Sequence, residues 1–237
     1  MERIYNIAGL NILIDAQYKE TEIFLKNFEV KNLNNFDESI KISQLEFDRQ
    51  MELVNVFEPS FVEHQCILSR LCAILINKYN GCIFHGSAVK YNDAGYIFTA
   101  PSGTGKSTHV NNLKKLLGSE IEYINDDKPI IKVENNIPYV YGSPWQGKHY
   151  LGGNIKTKLK AIIFLVRSEE NFVKELSFNE FLCKLLSQIQ NPNSSIEGQT
   201  LLDIILAINN SQVKFYVLNC NKEMSSANCT FENILKR

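Results

Sequence analysis

The sequence predicts an α/β fold: a nucleotide-binding domain with a mixed sheet, preceded by a small, mostly β N-terminal unit. Three observations carry this expectation. From about residue 80 onward, apolar runs of strand length alternate with stretches of helical periodicity. A glycine-rich loop, APSGTGKST from Ala100 to Thr108, stands between one such run and one such stretch. The first 57 residues instead hold apolar stretches, IYNIAGLNILI and FLKNFEV, broken by Asn-rich turn chemistry at residues 32–35. The expected division is therefore residues 1–57 and residues 58–237.

From Pro59 to Tyr79 the apolar residues Phe61, Ile67, Leu68, Leu71, Ile74 and Leu75 recur at spacings of three and four, which predicts a helix ended by Gly81. CIFHGSAVKY and GYIFTA follow, separated by Asn92, Asp93, Ala94 and Gly95, and read as a hairpin or tight reversal. His85 lies on the first of these runs. Past the glycine-rich loop, Val110, Leu113, Leu116 and Leu117 share one face of a helix that starts at Lys106 and stops at Gly118. Strands are expected at IEYI, KPIIKV, PYVYG, LKAIIFLV and VKFYVL, and helices at Phe178 to Ile189 and Leu201 to Ile208.

With 237 residues the chain is long enough for one large domain, or a small one plus a medium one, each with a core. Its formal net charge of -1, from 25 basic and 26 acidic residues, excludes a global attraction to nucleic acid or to an anionic membrane. Any phosphate binding has to be local. No stretch approaches the roughly 20 consecutive apolar residues of a membrane span, and the N-terminus lacks a secretory pattern, so a cytoplasmic protein is expected. Six cysteines, Cys66, Cys72, Cys82, Cys183, Cys220 and Cys229, avoid the spacing of zinc knuckles and redox pairs, and most sit among apolar residues. They read as buried free thiols.

The loop is where chemistry concentrates. Backbone N–H groups of Ser102, Gly103, Thr104 and Gly105, with those of Lys106, Ser107 and Thr108, can surround an anion while the helix N-terminus adds its positive end. Lys106 would neutralise β- and γ-phosphate oxygens, and the Ser107 hydroxyl is the hard oxygen ligand that magnesium prefers. Ala100 stands where the first glycine of such loops is usual, which costs little if its φ is negative. About twenty residues on, Asn125, Asp126 and Asp127 close the IEYI strand, where a carboxylate can approach the metal. A polar loop, Gly142 to Lys148, carries the chain's single tryptophan.

Taken together, His85-Gly86, the phosphate-binding loop and Asp126-Asp127, in that order and at these separations, resemble the catalytic domain of HPr kinase/phosphorylase. Its nucleotide fold is shared with phosphoenolpyruvate carboxykinase. The resemblance covers roughly residues 80 to 165. The segment Ser143-Pro144-Trp145-Gln146-Gly147-Lys148 is similar to the carboxykinase side. It is also similar to compact HPr-kinase-like proteins encoded with ribosomally made peptides, some of which phosphorylate a serine of a lasso precursor. No Glu-Ile-Arg-Gly-type segment follows the aspartates, a departure from the full HPr kinase/phosphorylase, and carboxykinase chains are far longer.

What the resemblance implies is a kinase that uses ATP and Mg2+. Lys106 and Ser107 would serve phosphate and metal, His85 would support catalysis, and Lys148 would meet charge on the transferring phosphoryl group. Asp126 would be the base that accepts the acceptor's proton, and Asp127 the carboxylate that joins Ser107 at magnesium. Adjacent residues leaving a strand point different ways, so the two aspartates should not share one task. The expected partner is a peptide or protein with a serine hydroxyl, docked partly on residues 1–57, with neither nucleic acid nor membrane. A small-metabolite kinase and a non-catalytic nucleotide-binding regulator are the competing readings, and GTP or pyrophosphate the competing donors.

Overall fold

A computed structural model describes residues 2–31, 35–54, 58–191 and 198–236. The expected Asn-rich turn falls at 32–35, of which 32–34 lie outside the described residues. Strands β1 (Glu2–Ile7) and β2 (Leu10–Asp15) form an antiparallel hairpin turned at Ala8 and Gly9, both with positive φ as this two-residue turn requires. β2 alternates buried Leu10, Ile12 and Ile14 with half-buried residues, the period of a sheet with one face in the core. Helix α1 (Lys19–Leu25) follows. β3 (Glu38–Ile40) then adds parallel to β2, and α2 (Gln44–Leu53) starts at a Ser43/Glu46 capping box. The N-terminal segment thus carries a small sheet, as expected, and two helices that its hydrophobic pattern did not announce.

Helix α3 (Pro59–Lys78) begins with proline in its first turn. It ends one residue before the expected Tyr79, and the left-handed stop is Asn80 (φ 50), whereas Gly81 is already the first residue of β4 (Gly81–Ile83). β5 (Ser87–Tyr91) and β6 (Ala94–Thr99) form the expected hairpin, with only Asn92 and Asp93 in the turn. Then come α4 (Lys106–Leu117), β7 (Glu122–Asn125), β8 (Ile130–Glu134), β9 (Ile137–Tyr141) and β10 (Lys156–Arg167). The chain finishes with β11 (Phe172–Leu176), α5 (Phe178–Leu186), α6 (Gly198–Asn209), β12 (Lys214–Cys220) and α7 (Met224–Thr230). α5 stops at Leu186, short of the expected Ile189, and β11 and α7 had no counterpart in the sequence expectation.

The larger sheet runs β4-β8-β9-β10-β6-β5-β7, with β12 also on β10 and β11 on β12. It is mixed: β6, β10 and β12 are mutually parallel, while β8, β9, β5 and β7 pair antiparallel. Its order forces a curl. In a flat sheet, β4 and β5 would lie five strand intervals apart, roughly 24 Å. The link from Ile83 to Ser87 spans at most about 14 Å. The link from β7 to β8 likewise joins strands near opposite ends of the order. The sheet therefore bends until these ends approach. At the seam the Phe84 N–H donates to the Pro129 carbonyl (2.9 Å) and the Gly86 N–H to the Asp127 carbonyl (2.9 Å).

Both faces of the central strands are buried, which explains their continuous apolar runs. Ile97 and Ile162 join one core with α3, α5, α6 and the N-terminal sheet, so that Tyr5, Ile7 and Ile12 belong to the same cluster as Leu71, Ile131 and Phe215. Phe98 and Ile163 face the other way and pack with Val110 and Leu113 of α4 and Ala227 of α7. All six cysteines are free. Cys66, Cys72, Cys82 and Cys220 are buried as expected, Cys229 is half-buried, and Cys183 is exposed because α5 turns Phe181 and Leu185 inward instead. Among the described residues, no helix is long and apolar enough to cross a membrane.

Candidate active site

β6 delivers the chain into the glycine-rich loop and α4 takes it out, so the loop sits between a strand end and a helix start, the required context. Ala100 is buried and has no positive φ, which is why alanine is tolerated there. Gly103 (φ 76) and Gly105 (φ 116) both adopt the left-handed region. A Cβ built on either would meet nothing within 4 Å, so conformation rather than crowding demands glycine. Ser102 and Gly103 are exposed, and Thr104, Gly105, Lys106 and Ser107 are half-buried. Lys106 Nζ donates to the Ala100 carbonyl at 3.0 Å. Burial pulls its pKa below the usual lysine range, opposed by Asp127 and Asp126.

One loop partner escaped the sequence reading. Arg167, at the end of β10, donates through Nε to the Thr104 carbonyl (3.3 Å) and through its terminal nitrogen to the Gly103 carbonyl. The available signal was a basic residue closing a long apolar strand. A cavity of about 620 Å³ opens beside this brace, bordered by Gly105, Thr108, Arg167, Asn221 and Lys222. Thr108 borders that cavity and is exposed.

The seam supplies the other half. Asn125 Oδ1 accepts from the N–H groups of Asp127 (2.9 Å) and Lys128 (2.7 Å), while its amide nitrogen reaches the Ser143 carbonyl (3.0 Å) and Oγ (3.1 Å). Four bonds from one fully buried side chain set the direction in which both aspartates leave. Those directions differ, as expected. Asp126 is buried, and its Oδ1 accepts from Ser87 Oγ at 2.6 Å. Asp127 is partly open, with Oδ1 3.8 Å from His85 Nε2. The carboxylate that borders the open groove beside the loop of residues 144–150 is thus Asp127, not the Asp126 that the resemblance marks as the base.

His85 lies in the break between β4 and β5, not on a strand as its sequence context suggested. Its N–H donates to the Gln188 carbonyl (2.8 Å), and the Thr99 hydroxyl is shared between the His85 carbonyl (2.8 Å) and Gln188 Oε1 (3.1 Å). Gln188, just past α5, gave no sequence signal because it acts only through tertiary contact. Burial, then Lys106, lower the His85 pKa, and Asp127 opposes them, so the ring favours its neutral form.

The polar loop after β9 is half core. Gly142 to Gln146 are buried and Gly147 to Tyr150 exposed. A Cβ on Gly142 would stand 1.7 Å from the Gly153 carbonyl, so only glycine fits there. Ser143 Oγ donates to the Lys128 carbonyl (2.6 Å) and the Lys128 N–H to the Trp145 carbonyl (3.1 Å), which ties this loop to the aspartate turn. Trp145 meets Phe24 of α1 edge-on (5.5 Å), and Phe24 stacks on His64 of α3 (4.1 Å). Lys148 is exposed and borders a groove of about 890 Å³ that also reaches Asp127 and Lys128. Lys106, Lys128, Lys148 and Arg167 give the local positive charge that a net charge of -1 cannot.

Among the described residues no group of three or more His, Cys, Asp or Glu side chains could hold a metal by itself. Magnesium does not ask for one: it commonly binds through one or two protein oxygens together with phosphates and water. A serine hydroxyl and neighbouring carboxylates fit that donor set.

No family model and no curated protein matches the chain. Among solved structures, the Hpr(Ser) kinase/phosphatase from Coxiella burnetii matches over 54% of this chain and 88% of that chain, with 14% sequence identity and a TM-score of 0.30. A superposition this loose carries no argument, and the functional reading stands on the residues of this chain.

Proposed function

We propose that this chain is a kinase that transfers the terminal phosphoryl group of ATP to a serine hydroxyl of a peptide or protein. A ribosomally made precursor peptide is a substrate of that class. One observation carries the reading: Thr99, which leads into the phosphate-binding loop, donates its hydroxyl to the His85 carbonyl (2.8 Å), and His85 Nε2 stands 3.8 Å from Asp127 Oδ1, so loop and pair meet at the seam, with one cavity bordering the loop and a second bordering Asp127. A cavity at the loop and another at the carboxylate suit a reaction of two substrates. Nucleotide binding alone needs neither Asp127 nor the second compartment.

In this reading the loop N–H groups and the start of α4 cradle the phosphates, and the nucleoside occupies the cavity beside Arg167. Magnesium, when bound, offsets phosphate charge, and Ser107 with Asp126 would hold it. Asp126 is assigned to the metal because its Oδ1 is held by Ser87, whose strand pairs with β6, the strand that feeds the loop, which leaves Asp127 as the carboxylate open to the groove. The acceptor hydroxyl gives its proton to Asp127 as its oxygen bonds the γ-phosphorus. The bridging P–O bond breaks, and its electron pair leaves with ADP. Lys106 and Lys148 meet the charge that gathers on the transferred group. His85, kept neutral, can accept a hydrogen bond from the carboxyl that results. ATP dependence fits a cytoplasmic site of action.

Incubation with γ-labelled ATP and serine-containing peptides is expected to yield labelled phosphoserine, and Lys106→Ala to weaken ATP binding and abolish transfer. Wild-type ATP affinity and activity in that variant would remove the basis of the assignment.

A further inference from the structure

The groove beside Asp127 has walls from α1, the start of α3 and the loop of residues 144–150. At about 890 Å³ it lies toward the upper end of the range of small-molecule pockets, roughly 300–1,000 Å³. Three side-chain nitrogens in its lining are shut off from water and have no hydrogen-bond partner: Trp145 Nε1, Gln146 Nε2 and His64 Nε2. Trp145 and Gln146 are only 6% and 5% exposed. Among the described residues just two other side-chain atoms share that condition, Tyr5 Oη and Thr21 Oγ1. Native proteins rarely leave such groups unpaired, so Trp145 Nε1 and Gln146 Nε2 point to a ligand that supplies acceptors, while neutral His64 donates or accepts according to its tautomer.

The chemistry of the wall narrows that ligand. An indole N–H and an amide NH₂ can only donate, so the match is an oxygen that only accepts, such as a main-chain carbonyl. The rim adds large apolar side chains left open to water, Ile23 at 63%, Tyr150 at 73% and Phe61 at 37% exposed. Glu20 and Glu58 give one wall negative charge, while Lys128 and Lys148 give the end near Asp127 positive charge. We propose, building on the kinase reading, that this groove receives the acceptor as an extended peptide segment whose carbonyl oxygens pair with Trp145 and Gln146 while its serine reaches Asp127. A basic residue flanking that serine lies against Glu20 and Glu58. The enclosed nitrogens gain these partners through a local shift of the loop, whose Gly147 to Tyr150 half has little buried packing to lose.

Trp145 is the only tryptophan in the chain, so its emission reports on the groove without any need for turnover. The probe is a pool of N-acetylated, C-amidated nonapeptides with a central serine and randomised flanks, in lysine-containing and glutamate-containing halves. Nucleotide-free protein is expected to show a saturable change in emission, with the lysine half binding about tenfold more tightly. Trp145→Phe and Gln146→Met are each expected to raise the KM for peptide about tenfold, the worth of one good hydrogen bond, with the KM for ATP far less affected. Glu20→Lys combined with Glu58→Lys, both at exposed positions, is expected to invert the preference between the halves, at a stability cost of about 1 kcal/mol or less for each cation placed at a helix start. Peptides phosphorylated with no emission change and no KM effect in either donor variant would overturn the groove while sparing the kinase. Phosphorylation of free serine, glycerol or a hexose but of no peptide would overturn the peptide occupant. An emission response with no phosphoryl transfer to any acceptor would leave the groove standing and refute the kinase reading.

Discussion

His85 Nε2 stands 3.8 Å from Asp127 Oδ1 although the two residues come from separate short links, one joining β4 to β5 and the other β7 to β8. Both links cross the seam of the curled sheet, and the Gly86 N–H bonds the Asp127 carbonyl there. The curl therefore creates the pair, and the strand end that carries the phosphate-binding loop opens beside it.

The division of labour between the aspartates follows from their surroundings. Asp127→Asn is expected to lower kcat by about 10² to 10⁴, the usual span of general-base catalysis, with ATP affinity largely retained. Asp126→Asn is expected instead to raise the magnesium concentration needed for half-maximal activity. Steady-state kinetics with magnesium titrations check both. If the kcat loss follows Asp126, the roles are the ones that the sequence resemblance implied.

Arg167 braces the loop by donating to two of its carbonyls, and it borders the cavity assigned to the nucleoside. Arg167→Ala removes two charge-assisted hydrogen bonds, so the KM for ATP should rise by about tenfold or more. Arg167→Lys should recover only part of this, since a single ammonium cannot reproduce the planar fork. Calorimetric ATP affinity of the two variants is the measurement, and equal affinities would show that the fork geometry does not matter.

Asn125 makes four hydrogen bonds from a fully buried side chain. Asn125→Ala should cost about 2–4 kcal/mol in urea unfolding, because donors and acceptors around it lose their partner inside the protein. Activity should fall even where the variant remains folded, since the aspartate turn loses its template. Asn125→Asp keeps the two acceptor bonds and loses the donors to Ser143, so an intermediate loss is expected.

His109, on α4 just behind the loop, is buried between Ser226 Oγ (3.2 Å) and Thr230 Oγ1 (3.0 Å). Burial lowers its pKa from 6.5 to about 4. Between these values the unfolded chain binds a proton that the folded chain refuses, so stability is complete above about pH 6.5 and falls as pH drops toward 4. The loss is on the order of 3 kcal/mol across that window. His64, also lowered to about 4 by burial, adds in the same direction. Urea midpoints at pH 7 and pH 5 should differ in the wild type and differ less in His109→Gln.

What the sequence alone determined was local. The glycines at 103 and 105, the lysine that opens α4, the Asn92-Asp93 turn and the strand-length apolar runs act through backbone conformation or short-range periodicity, so their consequences can be read within a few residues. The α/β class follows from the same patterns, and so does the list of residue types able to handle phosphate. Only the tertiary structure decided which of them meet. Strand order is set by long-range pairing and by the burial of both faces of β6 and β10, and it alone makes the sheet curl and brings His85 to Asp127. It also turned Asp126 inward to Ser87, set Arg167 and Gln188 against the loop and the His85 backbone, and packed Trp145 onto Phe24. None of these contacts has a local signature, because each depends on distant segments that share one core rather than on the chemistry of its neighbours in sequence.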